Sequence, residues 1–147
     1  VILAFDVSGS MAADDMKPTR MEAAKAVAKD FVLRQPVTVQ IGVVAFSEGA
    51  MSVQVPSNDQ SAILVAIDRI KPERGTSLAS GILVSLDTIS KQQGQTPLDS
   101  GDFAPELLAT PTPLPAGTYS SAVIVLLTDG ENNMNPDPLA AAAPCAT

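Results

Sequence analysis

Three stretches of the chain are rich in β-branched and other apolar residues, as buried β-strands are. They cover residues 1–5, 37–46 and 122–127. The first and the last show no alternation of apolar and polar positions, which is typical of strands covered on both faces of a parallel sheet. Residues 51–55 do alternate, and the short link at residues 47–49 before them predicts an edge strand paired as a hairpin.

The segments between these strands carry apolar residues at helical spacing. Thr19 and Glu22 form a capping box that predicts the start of a first helix. Ser57 and Gln60 repeat this pattern before a shorter second helix, and residues 77–90 predict a third. The apolar positions of the first helix recur at i, i+3, i+4, i+7 and i+8, and we expect them to face inward: Ala24, Val27, Ala28, Phe31 and Val32.

The order of these elements predicts an α/β fold. It is a doubly wound, mostly parallel, Rossmann-like sheet with helices on both faces, in a single domain over residues 1–147. The chain starts on an apolar run and ends where a further helix begins at residues 140–147. We therefore expect a segment of a longer protein, without the C-terminal part of the fold.

Residues 92–118 interrupt the pattern with Gln, Gly, Pro, Thr and Ser. They predict a loop insertion between the third helix and the last strand, because such connections usually have 2 to 6 residues. The insertion is either a tolerated surface loop or a functional one.

The composition excludes several kinds of chemistry. The chain has no His, one Cys and a net charge of −7. Without His there is no imidazole base and no Ser-His-Asp or Cys-His pair, and a single Cys145 provides neither a zinc cluster nor an intrachain disulfide. The acidic balance argues against nucleic-acid binding, and no stretch is long and apolar enough to span a bilayer. Carboxylate and hydroxyl chemistry remains.

Oxygen donors follow two of the predicted strands. Asp6, Ser8 and Ser10 leave the first strand at i, i+2 and i+4, and Asp129 follows the last one. Thr76 lies in the loop before the third helix. Because ligand sites in open α/β sheets lie beyond the carboxyl ends of the strands, we expect these side chains to converge there. Two carboxylates and three hydroxyls suit a small hard dication.

Three short motifs carry a resemblance to a known family. DVSGSM after an apolar strand, then GTS, then LLTDGEN resemble the metal-ion-dependent adhesion site of von Willebrand factor A domains. The resemblance implies a protein-binding module without catalysis, in which Mg²⁺ (or Mn²⁺, and less readily Ca²⁺) completes its coordination with an acidic side chain of a protein partner. The implied ligands, direct or through water, are Asp6, Ser8, Ser10, Thr76 and Asp129.

Within that family, the run DVSGSMAADDMKPTRMEAAK is most similar to bacterial membrane-anchored proteins of the BatA type. This resemblance implies a parent protein anchored in a bacterial membrane, with this domain outside the cytoplasm. It also implies an association with a MoxR-type AAA+ ATPase.

Each candidate residue also has a structural interpretation. Ser8 and Ser10 could only cap a turn, and Thr76 could only be the N-cap of the third helix. Asp14 and Asp15 are expected to form a solvated acidic loop. A Mg²⁺-dependent phosphohydrolase is the alternative function, but such an enzyme commonly needs an acid two residues after its nucleophile, where this chain has Ser8. A domain with a vestigial site is the third possibility.

Overall fold

The fold is an open sheet flanked by helices, seen in a computed structural model that describes residues 1–92, 122–130 and 138–142. The strands are β1 (Ile2–Asp6), β2 (Ile41–Phe46), β3 (Ala50–Ser57) and β4 (Ile124–Leu127). The helices are α1 (Arg20–Arg34), α2 (Gln60–Arg69), α3 (Leu78–Gln92) and α4 (Pro138–Ala142), with a 3-10 helix at Gly9–Ala12.

The described strands form one sheet in the order β3-β2-β1-β4. β1 lies in its centre and runs parallel to both neighbours, with Leu3 opposite Val43 of β2 and Val125 of β4. β3 lies at one edge and pairs antiparallel to β2. The mostly parallel sheet and the edge hairpin predicted from the sequence are thereby confirmed.

Helices cover both faces of the sheet. Successive side chains of a strand point to opposite faces, and because β1 is apolar throughout, both faces carry apolar side chains that the helices bury. On one side Leu3 and Phe5 belong to a core shared with α1 and α2. On the other side Ile2 and Ala4 pack in a second core that includes Ile89 of α3. The predicted doubly wound α/β fold is confirmed, and β1 is buried along its whole length.

Helix α1 begins as the capping box predicts. The Oγ1 atom of Thr19 accepts a hydrogen bond from the backbone N–H of Glu22 at 3.2 Å. Val27 is 62% exposed, but the other four positions of the predicted stripe are buried or pack against the core: Ala24, Ala28, Phe31 and Val32. Val27 therefore lies outside the apolar stripe, since α1 presents only a narrow face to the sheet and α2.

Helix α2 begins two residues later than the sequence pattern suggests. Its N-cap is Asp59, whose Oδ1 atom accepts from the backbone N–H of Ala62 at 3.1 Å, so the expected cap at Ser57 is wrong. Gln60 does not reach back to a cap either. Its side-chain amide donates to the backbone oxygens of Val32 and Gln35, which ties the start of α2 to the end of α1.

Helix α3 ends near the amino ends of the parallel strands, which we call the amino edge of the sheet. There the side-chain amide of Gln92 contacts Gln40, which directly precedes β2. The chain enters β4 at the same edge, because Ile2 donates its backbone N–H to the oxygen of Val123 at 2.8 Å. The predicted insertion at residues 92–118 lies, after Gln92, outside the described residues, and it stays a prediction. No helix within the described ranges is long and apolar enough to cross a membrane.

Candidate metal site

The candidate site lies at the carboxyl edge of the sheet, beyond β1 and β4. Asp6 is the last residue of β1, and Asp129 follows the end of β4 at Leu127 by two residues. The two strands are parallel neighbours, so their carboxyl ends meet at one edge. This is the part of an open α/β sheet where ligands bind.

Asp6 is a fully buried carboxylate held by two donors. Its Oδ1 atom accepts from the backbone N–H of Ser8 at 2.8 Å, and its Oδ2 atom accepts from the hydroxyl of Thr128 at 2.7 Å. The Thr128 hydroxyl in turn accepts from the backbone N–H of Gly130 at 3.0 Å. Hydrogen bonds to an ionised acceptor are stronger than neutral ones, and they offset part of the cost of burying the charge.

The two serines after β1 lie side by side. Their Oγ atoms are 2.9 Å apart. Ser8 is the last residue before the 3-10 helix, and Ser10 lies inside that helix. This tight turn follows β1 directly and is tied to it, because the backbone N–H of Ser8 donates to Asp6. Met11 in the same turn is buried in the core, which anchors the turn from below.

The loop that carries Thr76 is fastened to the end of β1. The backbone N–H of Glu73 donates to the oxygen of Val7, directly after Asp6. The backbone N–H of Ser77 donates to the oxygen of Ser47 at 2.6 Å, which joins the same loop to the β2–β3 hairpin. Thr76, between these two anchors, is 1% exposed.

The cap of α3 is supplied by Ser77 and not by Thr76. The Oγ atom of Ser77 accepts from the backbone N–H of Ser80 at 3.3 Å, and the helix begins at Leu78. The N-cap position directly before Leu78 therefore belongs to Ser77, and Thr76 lies one residue before it. Gly75 just before it has a φ of +79°, and a Cβ atom there would overlap the side chain of Glu48, so the tight turn into Thr76 requires glycine.

Asp129 forms an ion pair with Arg20, the first residue of α1. The Nη1 atom of Arg20 lies 2.8 Å from Oδ2 of Asp129, whose side chain is 8% exposed. The other side of the same guanidinium binds Asp15, with Nη2 2.7 Å from Oδ2. Asp15, expected to be merely solvated, therefore holds Arg20 while its own side chain stays 56% exposed.

The charges of this trio stabilise one another. Hydrogen bonds with Asp15, and then with Asp129, raise the pKa of Arg20 above its ordinary value. The hydrogen bond from Arg20 is also the main reason that the pKa of Asp15 lies below its ordinary 3.8. Arg20 therefore places a permanent positive charge beside one of the two candidate carboxylate ligands.

Hydrogen bonds connect the segments that carry the five predicted ligands at the carboxyl ends of β1 and β4. Asp6, Ser8 and Ser10 are linked by hydrogen bonds, Asp129 follows the residue that donates to Asp6, and the Thr76 loop is bonded to Val7. Two contributors were missed: Thr128 and Arg20. A hydroxyl directly before a candidate acid is a signal available in the sequence for Thr128, whereas nothing local points from Arg20 to Asp129, 109 positions away.

The donor set fits a small divalent cation. Carboxylate and hydroxyl oxygens can accept or share more than one bond, so the hydrogen bonds described here are compatible with coordination. Within the described ranges no group of three or more His, Cys, Asp or Glu side chains could hold a metal ion. A cation at this edge would therefore depend on hydroxyl oxygens and water beside two carboxylates, which Mg²⁺ accepts more readily than Ca²⁺.

Comparisons with known proteins agree with this architecture. The sequence model of the von Willebrand factor type A domain matches residues 1–131. A UPF0353 protein of Nocardia farcinica is 34% identical over 137 residues, which are 93% of this chain but 36% of that protein. The chain therefore spans about a third of the length of this relative.

Two solved structures show the same fold. The conserved hypothetical protein BatB from Bacteroides thetaiotaomicron superposes with a TM-score of 0.58 at 26% identity, covering 64% of this chain and 47% of that one. An uncharacterised membrane-spanning protein from Vibrio fischeri has a TM-score of 0.60 at 25% identity, covering 63% of this chain and 50% of that one.

Proposed function

Because the chain belongs to the von Willebrand factor type A domain family, we propose that it is a divalent-metal-dependent protein-binding module. The ion is Mg²⁺ or Mn²⁺, with Ca²⁺ less suited to the donor set. The partner is a protein that presents an acidic side chain. The proposed metal ligands, direct or through water, are Asp6, Ser8, Ser10, Thr76 and Asp129.

The observation that carries this proposal is the environment of Asp6. A carboxylate with 0% exposure is costly to bury, yet Asp6 lies at the end of β1, two and four residues before the paired hydroxyls of Ser8 and Ser10, and a second acid, Asp129, follows the neighbouring parallel strand β4. A purely structural acid needs hydrogen-bond donors, which Ser8 and Thr128 supply. A second acid at the same edge adds nothing to that role, whereas two carboxylates together would balance the charge of a dication.

Metal ligands that are neutral hydroxyl oxygens favour a partner protein that presents an acidic side chain. A bound divalent ion would supply a concentrated positive charge and a coordination position open to a carboxylate. Ser8, Ser10 and Thr76 provide oxygen atoms without adding negative charge. An incoming carboxylate therefore meets less repulsion than it would at a site built of acids only.

The structure favours binding over hydrolysis of phosphate esters. The position two residues after Asp6 is Ser8, and its hydroxyl lies 2.9 Å from that of Ser10. A hydroxyl is not a general base at neutral pH. Arg20, whose guanidinium contacts the candidate acid Asp129, is already engaged by two carboxylates. Incubation with p-nitrophenyl phosphate and Mg²⁺ should give no metal-dependent turnover.

The cellular setting is part of the same proposal. We propose a domain of a membrane-anchored bacterial protein, placed outside the cytoplasm and operating with a MoxR-type AAA+ ATPase. The likeness to the membrane-spanning protein from Vibrio fischeri and the resemblance to BatA-type proteins support this setting. Nucleic acid is not an expected partner, since the net charge is −7.

The metal site is tested by calorimetric titration of the purified chain with Mg²⁺ and Mn²⁺, together with thermal melts. We expect a single site, and at a free ion concentration about 100 times its Kd a stabilisation of about 2.7 kcal/mol. Asp6→Ala should lose both signals. Asp30→Ala is the control, because Asp30 is exposed on α1 and its removal changes the net charge equally. Wild-type affinity in Asp6→Ala would contradict the assignment.

The open coordination position is tested separately with Mn²⁺ as a probe of water. Bound Mn²⁺ that keeps exchangeable water enhances proton relaxation, and glutarate should lower that enhancement by displacing water. An enhancement that is insensitive to glutarate, while Mn²⁺ remains bound, would count against recognition of a partner carboxylate.

A further inference from the structure

Arg20 contacts two acidic side chains that come from different parts of the chain. Its Nη1 atom donates to Oδ2 of Asp129 at 2.8 Å, while Nε and Nη2 bind Asp15 at 2.9 and 2.7 Å. Asp129 is almost fully buried, and Asp15 is more than half exposed. The guanidinium of Arg20 thus neutralises the buried candidate ligand Asp129. The exposed carboxylate of Asp15 binds the other side of the same guanidinium.

A divalent cation bound at this site and Arg20 would compete for the carboxylate of Asp129. The Nη1 contact uses an oxygen atom of that carboxylate, and two positive centres that share one carboxylate repel each other. The contacts of Arg20 with Asp15 involve other atoms of the guanidinium. Arg20 therefore keeps a binding partner when its contact with Asp129 opens, which gives two discrete arrangements of the same three side chains.

We propose, building on the metal-dependent function above, that Arg20 is an internal competitor of the divalent cation for Asp129, and that Asp15 retains the guanidinium when the cation binds. Arg20 then lowers the affinity of the site and sets the cation concentration at which it fills. The coupling is reciprocal, so the cation also weakens the attachment of the start of α1 to the loop after β4.

A different role for Arg20 predicts the opposite sign. If Arg20 positioned Asp129 for coordination, its removal would lower the metal affinity. If it is a competitor, its removal raises the metal affinity. The direction of the change therefore separates the two roles without knowledge of any protein partner.

The first test compares Mg²⁺ and Mn²⁺ affinities of the wild-type chain and Arg20→Gln by calorimetry. We expect an increase of about tenfold, within the range usual for coupled sites. Arg34→Gln is the matched control, because Arg34 is the last residue of the same helix, forms an exposed ion pair with Asp30, and its loss changes the net charge equally. Its affinity should stay at the wild-type value.

The second test uses Asp15→Asn, which removes the negative charge that retains Arg20 and one of the two acceptor oxygens. The ion pair with Asp129 then becomes the stronger contact of the guanidinium, so the metal affinity should fall by about threefold or more. Asp14→Asn is the matched control, since Asp14 is the neighbouring exposed acid and its loss removes the same charge. In an Arg20→Gln background the effect of Asp15→Asn should largely disappear.

The outcomes separate this inference from the proposed function. Binding by the wild-type chain with unchanged or weaker binding by Arg20→Gln overturns the inference and leaves the metal site standing. No binding by the wild-type chain but binding by Arg20→Gln supports it. No binding by either chain overturns both. If Arg20→Gln does not fold, the comparison of Asp15→Asn with Asp14→Asn decides, and equal affinities in these two variants contradict the inference.

Discussion

Thr128→Val should destabilise the protein by removing one of the two hydrogen bonds that hold the buried Asp6 carboxylate. The hydroxyl of Thr128 lies 2.7 Å from Oδ2 of Asp6. Valine has nearly the same shape as threonine, so the substitution removes the donor with little change in packing. The backbone N–H of Gly130, which also loses an acceptor, is exposed and can bind water instead.

The expected loss follows from the charge of the acceptor. A hydrogen bond to an ionised group contributes about 1.5 to 3 kcal/mol, and Asp6 has 0% exposure, so water does not replace the missing donor cheaply. We expect a loss of about 2 kcal/mol in the free energy of unfolding without metal. Measured by urea denaturation, this moves the midpoint by about 1 M for an m-value near 2 kcal/mol/M.

Thr88→Val provides the matched control. Thr88 also donates its hydroxyl at 2.7 Å, but to a neutral backbone oxygen of Val84 in its own helix. That oxygen is a helix carbonyl that also accepts within the helix, and threonine and valine have similar helix propensities. The loss of the Thr88 hydroxyl should therefore cost under about 0.5 kcal/mol. Equal stabilities of Thr128→Val and the wild-type chain, or equal losses in the two variants, would refute the role given to the Asp6 contact.

Two further predictions concern packing and the insertion. Gly81→Ala should lower the free energy of unfolding by about 1 to 2 kcal/mol in a denaturant melt, although alanine favours helices, because its Cβ would lie 2.5 Å from the buried ring of Phe46. A Gly81→Ala chain as stable as the wild type would show that α3 can shift away from β2. Replacement of residues 95–116 by a short Gly/Ser linker should leave the Mg²⁺ affinity unchanged in calorimetry, since both described flanks of this segment lie at the sheet edge opposite the candidate site. A large fall in affinity would show that the segment contributes to the site.

Most of the architecture follows from local patterns. The apolar run of β1 without alternation indicated a strand buried on both faces, and its burial along the whole length bears this out. The same expectation is wrong for β4, which lies at the end of the described strand order with Leu126 39% exposed. The capping box at Thr19 placed the start of α1. The cap of α2 was misplaced, because Gln60 completes a capping pattern in the sequence but binds the end of α1 instead. That choice depends on the approach of another helix, which a local pattern does not contain.

The candidate site divides in the same way. The sequence by itself predicted which oxygen-bearing side chains lie at the carboxyl ends of the strands, because each ends a strand, closely follows one, or lies in the loop before a helix: Asp6, Ser8, Ser10, Thr76 and Asp129. The tertiary structure alone decided which groups surround the two acids. The contact of Thr128 with Asp6 spans 122 positions and that of Arg20 with Asp129 spans 109. Strand periodicity fixes the end of a strand at which a side chain emerges, whereas a partner from a distant segment is chosen only when the sheet and helices pack.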